Sequence, residues 1–270
     1  MATRRYDMHV HTDLSDGRFG SEQVIAAAAR GNLDVIALTD HDALAALAPA
    51  THEVEGRAVR VIPGTELSGM MHGREYHFLV FFSEAVPEPF QRWCAARIAA
   101  RVDRYQAAMR SLGLQETRTH APATSLTRHH LARALIQAGR VSSMSEAFSR
   151  YLGYRQGHVH PVDVPFDEAI STARAAGGVT VWAHPPLHQA EQLLPELVSA
   201  GLQGIEVFRP QHDHRTRHTL RKLAQRHGLV VSGGSDWHGW SEGELGLFAA
   251  FEPEVRDLLG VLSGSAGPPP

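Results

Sequence analysis

The 270-residue sequence predicts an α/β fold on parallel strands, either an α/β barrel or a doubly wound sheet. Three observations lead there. Short runs rich in valine and isoleucine recur along the chain, they do not alternate apolar with polar residues, and helix-like segments with their own stop signals separate them. A run that is apolar throughout is one buried on both faces, as strands of a helix-covered parallel sheet are. With 43 % hydrophobic residues the chain can bury a substantial core, so one large domain is expected.

The elements follow in order. The chain opens on a strand-like stretch that runs into MHVHTDLSDG (8–17). SEQVIAAAARGN (21–32) reads as a helix with Ser21 at its N-cap and Gly31 at its stop. Strand-like runs come next at DVIALTDH (34–41), RVIPGTE (60–66) and EYHFLVFF (75–82). From about Pro87 to Pro161 the rhythm breaks and the chain reads as wholly helical. A long segment places Phe90, Trp93, Cys94, Ile98, Val102, Tyr105, Met109 and Leu112 at helical spacing, a stripe read as core packing, and shorter helices follow over 127–138 and 143–152. The β/α rhythm then resumes with strands at VTVWAH (179–184), GIEVF (204–208) and LVVSGGSDWH (229–238). Helices separate them at PFDEAISTARAAGG and at TRHTLRKLAQRHG, which ends on Gly228. The expected organisation is a main domain over 1–262, a helical insertion within it over 88–160, and a disordered tail over 263–270, SGSAGPPP.

Composition narrows the setting. Cys94 is the single cysteine, so there is no internal disulfide and no thiolate zinc cluster, which fits a reducing compartment. MATRRYDMHVH has no apolar run of signal-peptide kind, and no segment approaches the roughly 18 uncharged residues of a membrane span. A cytoplasmic protein without a membrane partner is expected. Net charge is −3, but it is unevenly spread: 88–160 holds eleven arginines and four acids, about +7, leaving about −10 elsewhere. That excess is either a solvated helical face or a basic cap over an anionic substrate.

The 18 histidines are the strongest signal. His9 and His11 stand two apart in a strand-like stretch, so they point to one side and can grip one ion. Metal-capable residues then follow one apolar run after another: Asp40 and His41, Glu66, His184, and Asp236 with His238, while His77 lies inside EYHFLVFF. In a parallel barrel such strand ends converge on one face. Any one of these could be a hydrogen-bonded buried polar residue, but the whole set buried without a metal would be costly to satisfy.

HVHTDLSDG, TDHD, GTELS, EYHFLV, AHP and GSDWHG, in this order, resemble the motifs of the PHP (polymerase and histidinol phosphatase) family, whose members are metal-dependent phosphoesterases on a distorted seven-stranded β/α barrel. The resemblance spans residues 6 to 240, with the helical insertion in its expected place. Carried over by position, it implies three metal sites. His9, His11, Glu66 and Asp236 would hold one ion, Glu66 would bridge to a second held by His77 and His184, and Asp16, His41 and His238 would hold a third. Asp40 is expected to orient a ligand histidine. This mixed nitrogen and oxygen set suits roughly two to three divalent transition metals, manganese first and zinc or iron as alternatives. Three such ions against three carboxylates leave a surplus of about +3, which a phosphate monoester and a hydroxide would neutralise. No side chain is expected to be the nucleophile; metal-activated water would attack phosphorus.

LTRHHLARAL (126–135) is similar to the RPH-(Ile/Leu)-A signature of the family branch that acts on nucleoside 3′,5′-bisphosphates and short RNA from the 5′ end, and SEAFSRYLG (145–153) resembles the same branch. Arg128 and His130 match its phosphate-contacting positions; Arg128 could instead pair within the insertion. His129 stands where the signature has proline, His158 replaces an aromatic, and His184 is followed by Pro185 and Pro186 in place of Pro-Gly. The expected partner is therefore a small phosphoester or a short RNA end. No helix-turn-helix, zinc finger or polybasic run points to duplex DNA. Two other readings stay open: a metal-dependent amidohydrolase or esterase on the same barrel, and a non-catalytic metal-dependent nucleotide-binding module. His158, His160, His188, His212, His214 and His218 are surplus, read as surface or helix-face residues, with one near the barrel mouth a candidate general acid.

Overall fold

The structure is a computed structural model that describes residues 3–115, 120–121, 123–240 and 243–265. Most of the tail expected to be disordered, 266–270, lies outside the described residues. The strands are β1 (Arg5–Val10), β2 (Val35–Leu38), β3 (Ala50–Val54), β4 (Arg57–Met71), β5 (Arg74–Phe81), β6 (Val179–Trp182), β7 (Gly204–Phe208), β8 (Val230–Gly233) and β9 (Ala250–Phe251). They form one sheet in the order β8-β7-β6-β5-β4-β2-β1-β9, with β3 added on β4.

Seven of these, β1, β2 and β4 to β8, curl into a nearly closed barrel. Its seam lies between β8 and β1, where Asp236 N donates to His9 O and His11 N donates to Trp237 O, both at 2.9 Å. Gly234 makes that approach possible, since a Cβ there would sit 2.3 Å from the Cβ of His9. Four of the pairings are parallel, as expected: β1 with β2, β2 with β4, β6 with β7 and β7 with β8. β5 departs, running antiparallel to both β4 and β6. Its apolar run reads the same in either direction, and the reversal is made by a tight turn at His72 and Gly73, with φ of 49° and 72°.

Helices α1 (Ser21–Arg30), α5 (Phe166–Ala175), α6 (Leu187–Ser199), α7 (His214–Arg226) and α8 (Glu252–Leu262) belong to the barrel, and α1, α5, α6 and α7 connect strands. Gly31 ends α1 as expected; its N-cap, however, is Gly20 rather than Ser21, with Gln23 Oε1 accepting from Gly20 N at 3.2 Å. The main core packs residues of β1, β5, β6 and β7 with α6, α7 and α8 around Phe78, Phe81 and Trp182, all fully buried.

Between β5 and β6 the chain makes α2 (Glu88–Ser111), α3 (Arg128–Gln137) and α4 (Met144–Ala147), continued by a π turn over Phe148–Leu152. The apolar stripe of α2 serves two cores. Phe90 and Cys94 pack with Phe82, Val86 and Ala173 of the barrel, whereas Tyr105, Met109 and Leu112 pack with Leu131, Leu135 and Leu152 of the helical segment itself. Where the two meet, Arg97 and Arg101 of α2 reach the buried carboxylate of Asp42 at 2.7 and 2.6 Å. Among the described residues no helix is long and apolar enough to cross a membrane.

Candidate metal centre

The metal-capable side chains meet at the end of the barrel where the parallel strands finish. His9 ends the inward row of β1 and His11 follows it; Asp16 lies in the next loop, His41 just past β2, His184 just past β6, and Asp236 and His238 past β8. Glu66 lies beside His41 across the parallel pairing of β2 and β4, and His77 reaches the same place because β5 is reversed. His77 is early in β5 and Glu66 late in β4, and Glu66 pairs with Leu79, two residues from His77 and on the same face.

Three groups result, overlapping through shared residues. In the first, His9 Nε2 and His11 Nε2 are 3.1 Å apart, and each lies 3.3 to 3.4 Å from Glu66 Oε2 and Asp236 Oδ1. Donors bound ~2.1 Å from a shared ion lie about 3.0 to 3.4 Å apart at octahedral or tetrahedral angles, so these four atoms already have the spacing of a coordination polyhedron. In the second, Glu66 Oε1 is 3.0 Å from His77 Nδ1 and 2.9 Å from His184 Nε2, and the two rings approach to 3.3 Å. His41 Nδ1 also reaches Glu66, at 3.1 Å from Oε2. In the third, Asp16 Oδ1 is 3.2 Å from His238 Nε2 and Asp16 Oδ2 is 3.6 Å from His41 Nε2, with His11 also close by. The nine positions singled out in the sequence thus share one locus.

The donor set fits divalent metal ions on the evidence of its own unsatisfied atoms. Glu66 Oε2, His41 Nδ1 and His238 Nε2 are buried and, among the described residues, make no hydrogen bond, although each stands 3.1 to 3.4 Å from another of the donor atoms. An orphaned buried carboxylate oxygen or ring nitrogen costs roughly 1–3 kcal/mol, a cost a cation at these positions would remove. Burial alone would raise the Glu66 and Asp236 carboxyls, but the surrounding histidines hold both well below the usual carboxylate range. Burial likewise works against charge on His9, yet Asp236, Glu66 and Glu206 outweigh it and raise the imidazole to about 10. The backbone is strained here too, with His184 at φ 32° and Asp236 at φ 60°, in the left-handed region that side chains disfavour.

The residues behind the donors differ from expectation. Asp40 was expected to orient a ligand histidine; its carboxylate instead accepts from Thr12 N, Thr12 Oγ1, Ser15 N and Ser15 Oγ, at 2.5 to 3.1 Å. It thereby fixes the turn between His11 and Asp16, and only Ser15 Oγ, 3.4 Å from His11 Nδ1, relays it to a ring. The residue that holds a candidate donor ring is Glu206 of β7, which the sequence reading missed. Its Oε1 lies 3.0 Å from His9 Nδ1, while Oε2 accepts from the backbone of His184 at 2.7 Å and from Arg209 Nη1 at 2.8 Å. Arg209 Nη2 continues to Asp236 Oδ2 at 3.1 Å. Glu75 does the same for His77 Nε2, at 3.4 Å. A lone carboxylate inside the apolar run GIEVF was the available signal for Glu206.

Beside the second group opens a cleft of about 580 Å³, lined by His77, His184, Arg128, Arg155, Arg74 and His188 among others. Arg128 therefore lines a cleft beside the candidate metal centre, with its guanidinium 3.9 Å from Glu75. His130 does not line that cleft. Its Nδ1 accepts from Thr127 N at 3.1 Å, its ring meets His120 edge-on at 5.1 Å, and burial pushes its imidazole down to about 4. The histidine that turns toward the donors is its neighbour, His129, whose Nδ1 is 3.3 Å from Asp16 Oδ2.

Comparison with known proteins gives the family. A family model described as the PHP domain matches residues 7–159. The 5′-3′ exoribonuclease Rnm of Escherichia coli is 32 % identical over 253 residues, covering 86 % of this chain and 85 % of that protein. A phosphoribosyl 1,2-cyclic phosphate 1,2-diphosphodiesterase of Eggerthella lenta is 32 % identical, covering 86 % and 94 %, and a 3′,5′-nucleoside bisphosphate phosphatase of Chromobacterium violaceum is 29 % identical, covering 88 % of each. Among solved structures, a Bifidobacterium adolescentis protein assigned as a metal-dependent phosphoesterase superposes with a TM-score of 0.78 at 28 % identity, covering 94 % of this chain and 95 % of that one. With its motifs, its nearly closed barrel and these matches in accord, the chain belongs to the PHP-domain family.

Proposed function

We propose that this protein is a metal-dependent phosphoesterase that hydrolyses a phosphate ester on a nucleotide, either a nucleoside 3′,5′-bisphosphate or the 5′ end of a short RNA. The observation that carries the reading is the sharing of Glu66 between donor groups, one carboxylate oxygen facing His9 and His11 and the other facing His77 and His184. That geometry suits adjacent ions, and the residues support a trinuclear centre with manganese as its first occupant.

When bound, such ions activate water and accept charge from the phosphoryl oxygens. The chain's own residues do the rest. Glu206 fixes the His9 ring so that Nε2 faces the donors, and Arg209 ties Asp236 to the same carboxylate. Arg128 and Arg155 line the adjoining cleft with guanidinium groups, which recognise phosphate by paired hydrogen bonds. The 88–160 insertion supplies both arginines, so residues 1–262 act as one catalytic unit whose insertion forms a wall of the substrate cleft. Bacterial relatives named for RNA, bisphosphate and cyclic phosphate substrates support a phosphoester and leave the leaving group to be measured. A cytoplasmic location, and no binding to duplex DNA or membranes, complete the proposal; the buried lone Cys94 fits a reducing compartment.

The test is a substrate panel. Protein loaded with Mn²⁺ is offered 3′,5′-bisphosphoadenosine, 5′-phosphorylated short RNA, a cyclic phosphodiester, phosphoserine, histidinol phosphate and simple amides. Release of phosphate or mononucleotide from a nucleotide substrate is the expected result, with Arg128→Ala raising KM and leaving metal content unchanged. Turnover of amides alone would replace the reading by an amidohydrolase, and tight nucleotide binding with no turnover would replace it by a binding module.

A further inference from the structure

We propose that His129, carried by the helical insertion, is a ligand of the third metal ion beside Asp16, His41 and His238. The inference rests on the metal-centre reading above and adds a residue to it that the family resemblance does not supply, because the resembling signature has proline at this position.

The need for another donor comes from counting lone pairs. A neutral imidazole offers one lone pair to a metal. His11 lies near both the first and the third group, but its Nε2 stands 3.1 to 3.3 Å from His9, Glu66 and Asp236, so its lone pair belongs to the first. His41 is divided in the same way, with Nδ1 near Glu66 and Nε2 near Asp16. The third group is then left with Asp16, His238 and at best His41. With His41 shared, that set holds two donors of its own, fewer than the three protein ligands of an open catalytic site.

His129 is placed to fill the gap. Its Nδ1 lies 3.3 Å from Asp16 Oδ2, the same separation that paired donors show in the first group. Its ring lies 5.4 Å from that of His238 and meets Phe148 of the insertion edge-on at 5.5 Å. The start of α3 is fixed against the same carboxylate: Thr127 Oγ1 donates to Asp16 Oδ2 at 2.9 Å and accepts from His129 N at 3.1 Å. The side chain is 38 % exposed, so a donor at His129 leaves this ion in reach of solvent and substrate. An ion bound by Asp16 and His129 together also joins the barrel to the insertion that carries Arg128.

The experiment counts Mn²⁺ per chain and measures its affinity by competition with a chromophoric chelator, for the wild type and for His129→Ala, with and without added imidazole. Expected is loss of one ion, or a fall of ~10-fold or more in the affinity of the weakest-bound ion, with the others unchanged and the lost ion restored by imidazole. Retention of every ion at wild-type affinity overturns the proposal. So does a loss that imidazole does not restore, since His129 would then act only by holding Asp16. A wild type that binds no Mn²⁺ overturns the metal-centre reading itself, a failure distinct from either.

Discussion

Glu206 Oε1 lies 3.0 Å from His9 Nδ1, and both side chains are completely buried. This contact decides which nitrogen of His9 faces the donors, because a proton on Nδ1 directed to the carboxylate leaves the Nε2 lone pair for an ion. Burial pushes the Glu206 carboxyl up, but Arg209 and His9 outweigh it and hold it at about 2, so it stays ionised at working pH. Replacement of Glu206 by glutamine is expected to lower Mn²⁺ affinity by ~10–100-fold, measured by chelator competition, with the fold retained by circular dichroism. Unchanged affinity would mean that the His9 ring is oriented by packing alone.

Asp42 anchors the insertion. Its carboxylate takes Arg97 and Arg101 together, and the Arg97 and Arg101 side chains also reach Ser68. Burial opposes the charge on Asp42, and the two guanidinium groups overcome it and hold the carboxyl at about 2. Asp42→Ala leaves two buried cations without their partner, a change that costs about 3 kcal/mol or more. A fall in Tm of roughly 5–10 °C is expected in a thermal melt. A variant melting with the wild type would show that α2 docks through Phe90 and Cys94 instead.

Cys94 reports on the same seam. Burial, with Asp42 nearby, raises its thiol above the ordinary cysteine range, so the reactive thiolate is scarce even in alkaline buffer. The native protein is expected to resist a thiol-specific disulfide reagent from pH 7 to 9, and Asp42→Ala to react readily. Fast labelling of the wild type would contradict the packing of α2 on the barrel.

Metal removal should be felt as lost stability. An ion that binds only the folded chain stabilises it by about 2.7 kcal/mol when free metal is a hundredfold above Kd. Dialysis against a chelator is expected to lower Tm, and Mn²⁺ to restore it in a concentration-dependent way. A melt indifferent to metal would place the ions outside the folded core.

Much of the site was legible because metal donors on strands obey simple spacing. His9 and His11 stand two apart on one face, and His41, Glu66, His184, Asp236 and His238 follow apolar runs whose ends a barrel brings together. The reversal of β5 was not legible, since an apolar run carries no direction, although that reversal is what brings His77 to Glu66. Glu206 was hidden because a carboxylate within GIEVF looks like an interruption of a strand until the sheet curls and brings its side chain to His9 of β1. His130, expected at a phosphate-contacting position, turns away from the cleft for a local reason. Thr127 caps α3 and engages His130 in its capping box, which leaves His129 as the ring turned toward Asp16.

Glu66 is where the donor groups join, so its removal tests the account most directly. Metal content by inductively coupled plasma mass spectrometry, on wild type and Glu66→Ala purified and reloaded with Mn²⁺ side by side, is the measurement. Roughly two to three ions per wild-type chain and no more than about one in the variant are predicted. A wild type with less than about one ion, or a variant that keeps the full complement, would contradict it.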